Sequence, residues 1–299
     1  MNSAQRLQEQ RGQLLIEEPM SRHTSWRVGG VAENFYIPAD IDDLVLFLEQ
    51  LPTDENLFWF GLGSNLLVRD GGIKGTVICM TGVLNTIKKI DELRVEAGAG
   101  ASCAKFARFC VQSGLTGAEF LAGIPGTVGG ALTMNAGAFG GEIWPLVEQV
   151  EVINRFGRRV WRSRDEYRYS YRHVDGPENE WFVSVRLKLK AGDGVAAMSR
   201  IKKLLEQRNA AQPIGLPSCG SVFRNPENDH AGRLIEVCGL KGYSLGGAMV
   251  SEKHANFIIN KGDATASDIE SLMNLIVVTV EKQCGVRLKT EVHIVGVAS

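Results

Sequence analysis

From Phe120 to Gly141 the chain carries no formal charge, although 22% of the whole sequence is charged. Seven residues of that stretch, FLAGIPGTVGGALTMNAGAFGG, are glycine. Its length would suit a bilayer span, but the glycines, Pro125 and Asn135 make a poor lipid-facing helix. A soluble protein then needs the segment for close packing or for close approach of backbone to a ligand. A second, shorter segment has the same character. Gly61-Leu62-Gly63-Ser64-Asn65 follows the apolar run NLFWF. Neither segment is followed by Gly-Lys-Ser/Thr, so neither is a P-loop, and neither fits GxGxxG. Both still suit a diphosphate, because glycines allow positive φ and let successive N–H groups face an anion without lysine or arginine. In Gly123-Ile124-Pro125-Gly126-Thr127-Val128-Gly129-Gly130, Thr127 adds a neutral donor, as do Ser64 and Asn65 in the first segment. Tight turns that need only small residues remain the alternative.

Composition narrows the class. The 299 residues are 44% hydrophobic with a formal net charge of −1, an ordinary globular balance that exerts no global pull on nucleic acid or anionic membranes. The N-terminal MNSAQRLQEQRGQLLIEEP has no apolar signal-peptide core, so the expected compartment is the cytoplasm, with no membrane insertion. The six cysteines form no CxxC pair and the five histidines no HExxH spacing, so reduced thiols and no metal are expected.

Periodicity gives a mixed order of elements. ENFYIPAD is a strand, and DIDDLVLFLEQL is a helix capped by Asp40. NLFWFG and GTVICM are strands, and ASCAKFARFCVQSG is a helix begun by Ser102 and closed by Gly114. EQVEVINRFGRRVWRS is a hairpin turning at Arg155–Arg158, and WFVSVRLKLK another strand. A basic helix then ends near Pro213. HAGRLIEVCG is a short helix, ANFIIN a strand, TASDIESLMNLIVVTVEKQCG a helix with a Thr265/Asp268 capping box, and EVHIVG a closing strand. The best single boundary lies near residues 192–212, and the pattern lacks the steady βαβ rhythm of a doubly wound sheet.

In unbroken order from His23, the strings GLGSNLLV, AGIPGTVGGALTMNAGAFGGE, YRYSYRH, PSCGSVFRNP, GAMVSEKHANFIIN and KTEVHIVG resemble the UDP-N-acetylenolpyruvoylglucosamine reductase family. The short link from Tyr243 to Asn256 is similar to its shorter type, which lacks an extra tyrosine-bearing loop. The glycine segments alone suggest only the wider group of vanillyl-alcohol-oxidase-like FAD domains. The resemblance implies an α+β protein: an N-terminal extension (residues 1–20), a PCMH-type FAD-binding domain (21–192, with subdomains 21–85 and 86–192) and a smaller α+β substrate-binding domain (193–299). It implies non-covalent FAD, NADPH as electron donor, and a place in peptidoglycan precursor synthesis. The reaction implied is reduction of UDP-N-acetylglucosamine enolpyruvate to UDP-N-acetylmuramate, by a monomer.

The implied FAD contacts are Gly61, Gly63, Ser64, Asn65, Leu66, Gly123, Pro125, Gly126, Thr127, Gly129, Gly130 and Ala136. Arg172 matches the family's catalytic arginine, with Arg168 as the alternative register; Ser221 matches its proton donor and Glu291 its third catalytic residue. Tyr171, Arg208, Gln212, Arg224, Asn225 and His254 are the substrate-binding candidates. Hydride addition to the vinyl carbon builds an enolate, which a fixed cationic fork can hold while a nearby hydroxyl supplies the α-proton. Three other readings stay open on the sequence alone. An FAD oxidase of the same wider fold could tether its flavin through Cys103 or Cys110. The arginine- and aromatic-rich run RFGRRVWRSRDEYRYSYRH would suit single-stranded nucleic acid or a plain exposed hairpin. A non-catalytic UDP-sugar-binding protein is the third.

Overall fold

The structure is a computed structural model and describes residues 10–299; the first nine residues of the expected N-terminal extension lie outside it. It divides into two compact units, and the division is discontinuous. Among the described residues, one unit comprises 10–15, Asn34–Leu62 and Gly75–Glu206; the other comprises Ile16–Glu33, Gly63–Lys74 and Gln207–Ser299. The last boundary, between Glu206 and Gln207, falls within the 192–212 cut expected from sequence, but the chain also passes between units four times before it.

The first unit is built on a five-stranded antiparallel sheet. Its order is Arg159–Ser163, Val147–Asn154, Glu180–Lys188, Arg94–Gly98, Ile87–Lys89. The expected hairpin is there, and Gly157 takes φ 77° in its turn. Helix Cys103–Gln112 buries Cys103, Phe106, Ala107, Cys110 and Val111 in the same core as Val95, Val150 and Val185 from the strands. A second core cluster joins Leu44 and Leu48 of helix Ile41–Gln50 to Ile78, Met80, Ile153 and Val183. Asp40 caps that helix, its carboxylate accepting from the Asp43 N–H at 3.0 Å. A four-stranded sheet has the order Gln13–Pro19, Val31–Ile37, Ile73–Cys79, Leu57–Phe60. Its last pair is parallel, and the unit boundaries fall inside its first three strands.

The neutral stretch is not one loop. Glu119–Gly123 is a 3₁₀ turn, Val128–Thr133 a short helix, and Gly137–Ala138 pairs with Gly141–Glu142 in a small hairpin. Glycines at two of the first three positions make this a weak helix by propensity. It forms because Thr127 caps it, accepting from Gly130 N–H, and because Val128, Ala131 and Leu132 are buried.

The second unit packs Trp26, Leu67, Val222, Phe223, Ile269, Leu272 and Ile276 into one core. Helix Ala266–Cys284 has the expected reciprocal capping box of Thr265 and Asp268, and Gly285 closes it at φ 70°. Strands Ser244–Leu245, Ala248–Val250 and Ile258–Asn260 form an antiparallel sheet. The closing strand His293–Val295 pairs in parallel with Leu66–Val68. Trp26 donates its indole N–H to the Ile258 carbonyl at 2.7 Å, and Asn260 donates back to the Trp26 carbonyl at 2.9 Å.

Candidate active site

The two glycine segments touch at one point in the first unit. A Cβ on Gly61 would lie 2.9 Å from the Thr127 hydroxyl oxygen, closer than side chains tolerate. Two neutral glycine-rich backbones therefore meet there with no room for a side chain. Their amides are used differently. Val128 N–H donates to the Ala101 carbonyl, Gly129 N–H to the Ala99 carbonyl and Gly130 N–H to Thr127 Oγ1. Gly126 N–H donates to the Ile124 carbonyl. In the second segment the Gly126, Val128, Gly129 and Gly130 donors are thus taken up within the protein. That segment also follows a 3₁₀ turn, not a strand. In the first segment, Leu62, Gly63 and Ser64 N–H groups meet no protein acceptor among the described residues, and Gly63 takes φ 64°. That loop keeps free donors, which a diphosphate requires.

The remaining cofactor candidates are placed as follows. Leu66 is buried in its strand, and the Asn65 side-chain amide donates to the Glu291 carbonyl at 3.0 Å. Gly123 lies under the Phe139 ring, where a Cβ would sit 2.7 Å from the ring edge. Pro125 is exposed. Ala136 is buried, its N–H bound to the Ala131 carbonyl. Cys103 and Cys110 are buried, and burial pushes both thiols up to about 12. Neither is held as the thiolate that a covalent flavin tether would need.

Arg172 occupies a two-residue turn between paired strands Arg168–Ser170 and His173–Asp175. Its backbone is left-handed, φ 55°, a conformation a non-glycine side chain adopts at some cost. Its guanidinium donates to the Gly137 carbonyl at 2.7 Å and the Asn135 carbonyl at 3.5 Å, and lies 5.0 Å from the Tyr171 ring centroid. Arg168, the other register, stands exposed on the strand before the turn. Asn135 was read from sequence only as a residue that spoils a lipid-facing helix, not as part of a site. It is fully buried at φ 44°, donates to Glu142 at 2.9 Å and to the Ser170 carbonyl at 3.0 Å, and accepts from the Trp144 N–H at 3.3 Å.

In the second unit, Ser221 and Glu291 sit on adjoining backbones. Phe223 bridges Thr290, Glu291 N–H donates to the Val222 carbonyl at 2.8 Å, and Arg224 N–H donates to the Lys289 carbonyl at 2.9 Å. Gly220 at φ 73° makes the turn into Ser221. A second asparagine missed in the sequence holds this segment. Asn256, 3% exposed, accepts from Phe223 N–H at 3.0 Å and donates to the Phe223 carbonyl at 2.8 Å. Its own N–H donates to His254 Nδ1 at 3.2 Å, so that ring carries its proton on Nε2; burial holds the imidazole below its usual range. Arg224 Nε is buried and finds no partner among the described residues, an orphaned cationic donor of the kind an anionic ligand satisfies. Asn225 is exposed and accepts from the Ala231 N–H. Arg208 donates to Gln212 at 3.1 Å, which joins two substrate-binding candidates, and burial lowers the arginine's affinity for its proton. Among the described residues no cluster of three metal-ligating side chains occurs, and no helix is long and apolar enough to cross a membrane.

Known proteins give the same pattern at family scale. An FAD binding domain model matches residues 32–163, and the model of the UDP-N-acetylenolpyruvoylglucosamine reductase C-terminal domain matches 212–295. The reductase of Methylococcus capsulatus is 60% identical over 96% of this chain and 95% of its own. That of Nitrosococcus oceani is 59% identical over 96% of each. The crystal structure of the Thermus caldophilus enzyme superposes with a TM-score of 0.80 at 32% identity, covering 95% of this chain and 98% of that one. The α+β architecture is therefore a PCMH-type FAD domain joined to the reductase's C-terminal domain. With that coverage and identity, the chain belongs to the UDP-N-acetylenolpyruvoylglucosamine reductase family.

Proposed function

We propose that Arg172, Ser221 and Glu291 carry out the second half of an NADPH-dependent, FAD-dependent reduction of UDP-N-acetylglucosamine enolpyruvate to UDP-N-acetylmuramate. The overall activity follows from family membership; the roles of individual residues are our reading. When bound, FAD relays hydride from NADPH to the vinyl carbon of the enolpyruvyl ether. The chain's open loop at Leu62–Ser64 and the Gly61–Thr127 contact fit a flavin dinucleotide, since they offer neutral donors and exclude side chains.

The observation that supports the residue roles is the stitching of Val222–Arg224, directly after Ser221, to Lys289–Glu291 by main-chain hydrogen bonds. A serine hydroxyl is a weak acid and can protonate a nascent carbanion only from a fixed position. Here the two residues that follow it are held, Val222 and Phe223 by Asn256 and the Val222 carbonyl by Glu291 N–H. Glu291 assists the enolate or relays the proton. Arg172, a permanent cation on a constrained turn, holds the substrate carboxylate as charge develops on it. Tyr171, Arg208, Gln212, Arg224, Asn225 and His254 bind the nucleotide sugar, and the orphaned Arg224 Nε is the best-supported of these contacts. The remaining assignments are action in the cytoplasm and as a monomer.

Anaerobic stopped flow tests the residue roles. NADPH should bleach the flavin and the enolpyruvyl substrate should restore it. Ser221→Ala should bleach normally and lose recovery by a factor of about 100 or more, the range of general acid catalysis. Arg172→Ala should fail in the same step. Normal recovery in Ser221→Ala removes it as the acid, and failure of Arg168→Ala in place of Arg172→Ala moves the register.

A further inference from the structure

We propose that Asn135 is the positioning residue for Arg172, acting from beneath the turn that carries it. This rests on the role given to Arg172 above. An arginine side chain has many rotamers, and a cation meant to meet a developing enolate must be held before the reaction begins. The chain grips Arg172 at both ends. At the base, the Asn135 amide donates to the carbonyl of Ser170, the residue immediately before the Tyr171-Arg172 turn. At the tip, the guanidinium returns to the carbonyls of Asn135 and Gly137. One three-residue stretch, Asn135–Gly137, therefore holds both the turn and the fork.

The grip is itself braced. Asn135 is fully buried, its second amide hydrogen goes to Glu142, and its Oδ1 takes the Trp144 N–H. Glu142 is registered opposite Gly137 in the small hairpin, so the residue whose carboxylate braces Asn135 also pairs through its backbone with Gly137. Gly137 has to be glycine, since a Cβ there would lie 2.5 Å from the Gly141 carbonyl and 3.3 Å from Arg172 Nη1. No other side chain matches these demands. The arrangement needs two donors and one acceptor on a short side chain in left-handed backbone, and asparagine supplies all three and tolerates that φ. Trp144 stacks on Tyr169 at 5.6 Å, so the strand leading to the turn packs against the same brace. The neutral segment between Glu119 and Glu142 thus positions a cation that it does not itself contain.

The test uses holoenzyme. Asn135→Asp keeps the shape but turns the amide donor into a carboxylate facing the Glu142 carboxylate and the Ser170 carbonyl. Glu142→Ala removes the brace from a half-exposed position and serves if the first variant does not fold. Flavin reduction by NADPH should stay within about twofold of the parent, and reoxidation by the enolpyruvyl substrate should slow by about tenfold or more, as a misplacement near ~1 Å produces. On an Arg172→Lys background the same change should add little, because the two residues act as one unit. The near-ultraviolet dichroism of the Trp144, Tyr167 and Tyr169 cluster should stay parent-like in Glu142→Ala. Equal slowing of both half-reactions, an undiminished loss on the Arg172→Lys background, or collapse of the aromatic signal would make the residue structural and overturn the proposal. Parent-like reoxidation in both variants would overturn it as well. Normal reoxidation in Arg172→Ala strikes instead at the role of Arg172, a separate result.

Discussion

Gly61 and Thr127 show how a single missing methyl group shapes the proposed cofactor site. The hydroxyl of Thr127 occupies the place a side chain on Gly61 would take, and the same oxygen caps the helix at Val128–Thr133. Gly61→Ala should therefore push against a cap that cannot retreat without releasing Gly130 N–H. The expected outcome is a protein that folds but loses flavin on dialysis, read as a fallen ratio of absorbance at flavin wavelengths to that of protein. Full flavin retention would mean that the contact lies away from the dinucleotide. At this scale the sequence was informative about glycines and poor about asparagines. Glycine announces a backbone that must come close or turn left. Asn135 and Asn256 announce nothing, because an asparagine inside an apolar run reads the same whether it faces water or clamps a buried main chain. In the structure Asn135 donates to the Ser170 carbonyl beside the Arg172 turn, and Asn256 clamps the main chain of Phe223, two residues after Ser221.

Elements bounded by local chemistry matched expectation, and elements made by distant packing did not. Asp40, the Thr265/Asp268 box, the turn at Arg155–Arg158 and Gly114 all act over a few residues, and each is found where it was expected. Ser102 stands at its expected N-cap position but makes no capping bond through its hydroxyl. The short helix at Val128–Thr133 was unreadable because its composition argues against helix, and buried neighbours overrule that preference. Helix Ala266–Cys284 offers a clean measurement. Its first turn is doubly satisfied, by Thr265 and by both carboxylate oxygens of Asp70, which accept from Ala266 and Ser267 N–H at 2.9 Å. Thr265→Ala should cost about 1 kcal/mol in a urea titration, near the middle of the range for a lost N-cap. A loss above about 3 kcal/mol would show that the box also holds Gly247, whose N–H donates to Asp268 at 3.3 Å.

For the molecule as a whole, the discontinuous division was invisible in sequence, since no composition change marks residues 16–33 or 63–74 as belonging with the C-terminal part. Fold class came from the resemblance carried by the ordered motifs, while allegiance of segments depends on pairings more than two hundred residues apart, such as Trp26 with Ile258. Residues 207–299 expressed alone should thus fail to give a cooperative thermal transition, because Trp26, Val28 and Leu67 are missing from their core. A sharp, two-state melt from that fragment would show that those contributions are dispensable. The parallel pairing of His293–Val295 with Leu66–Val68 extends the point to biosynthesis. A ladder whose two halves lie more than two hundred residues apart cannot close until residues 293–295 have been made. The early strand must wait, shielded or at risk, until its late partner leaves the exit tunnel.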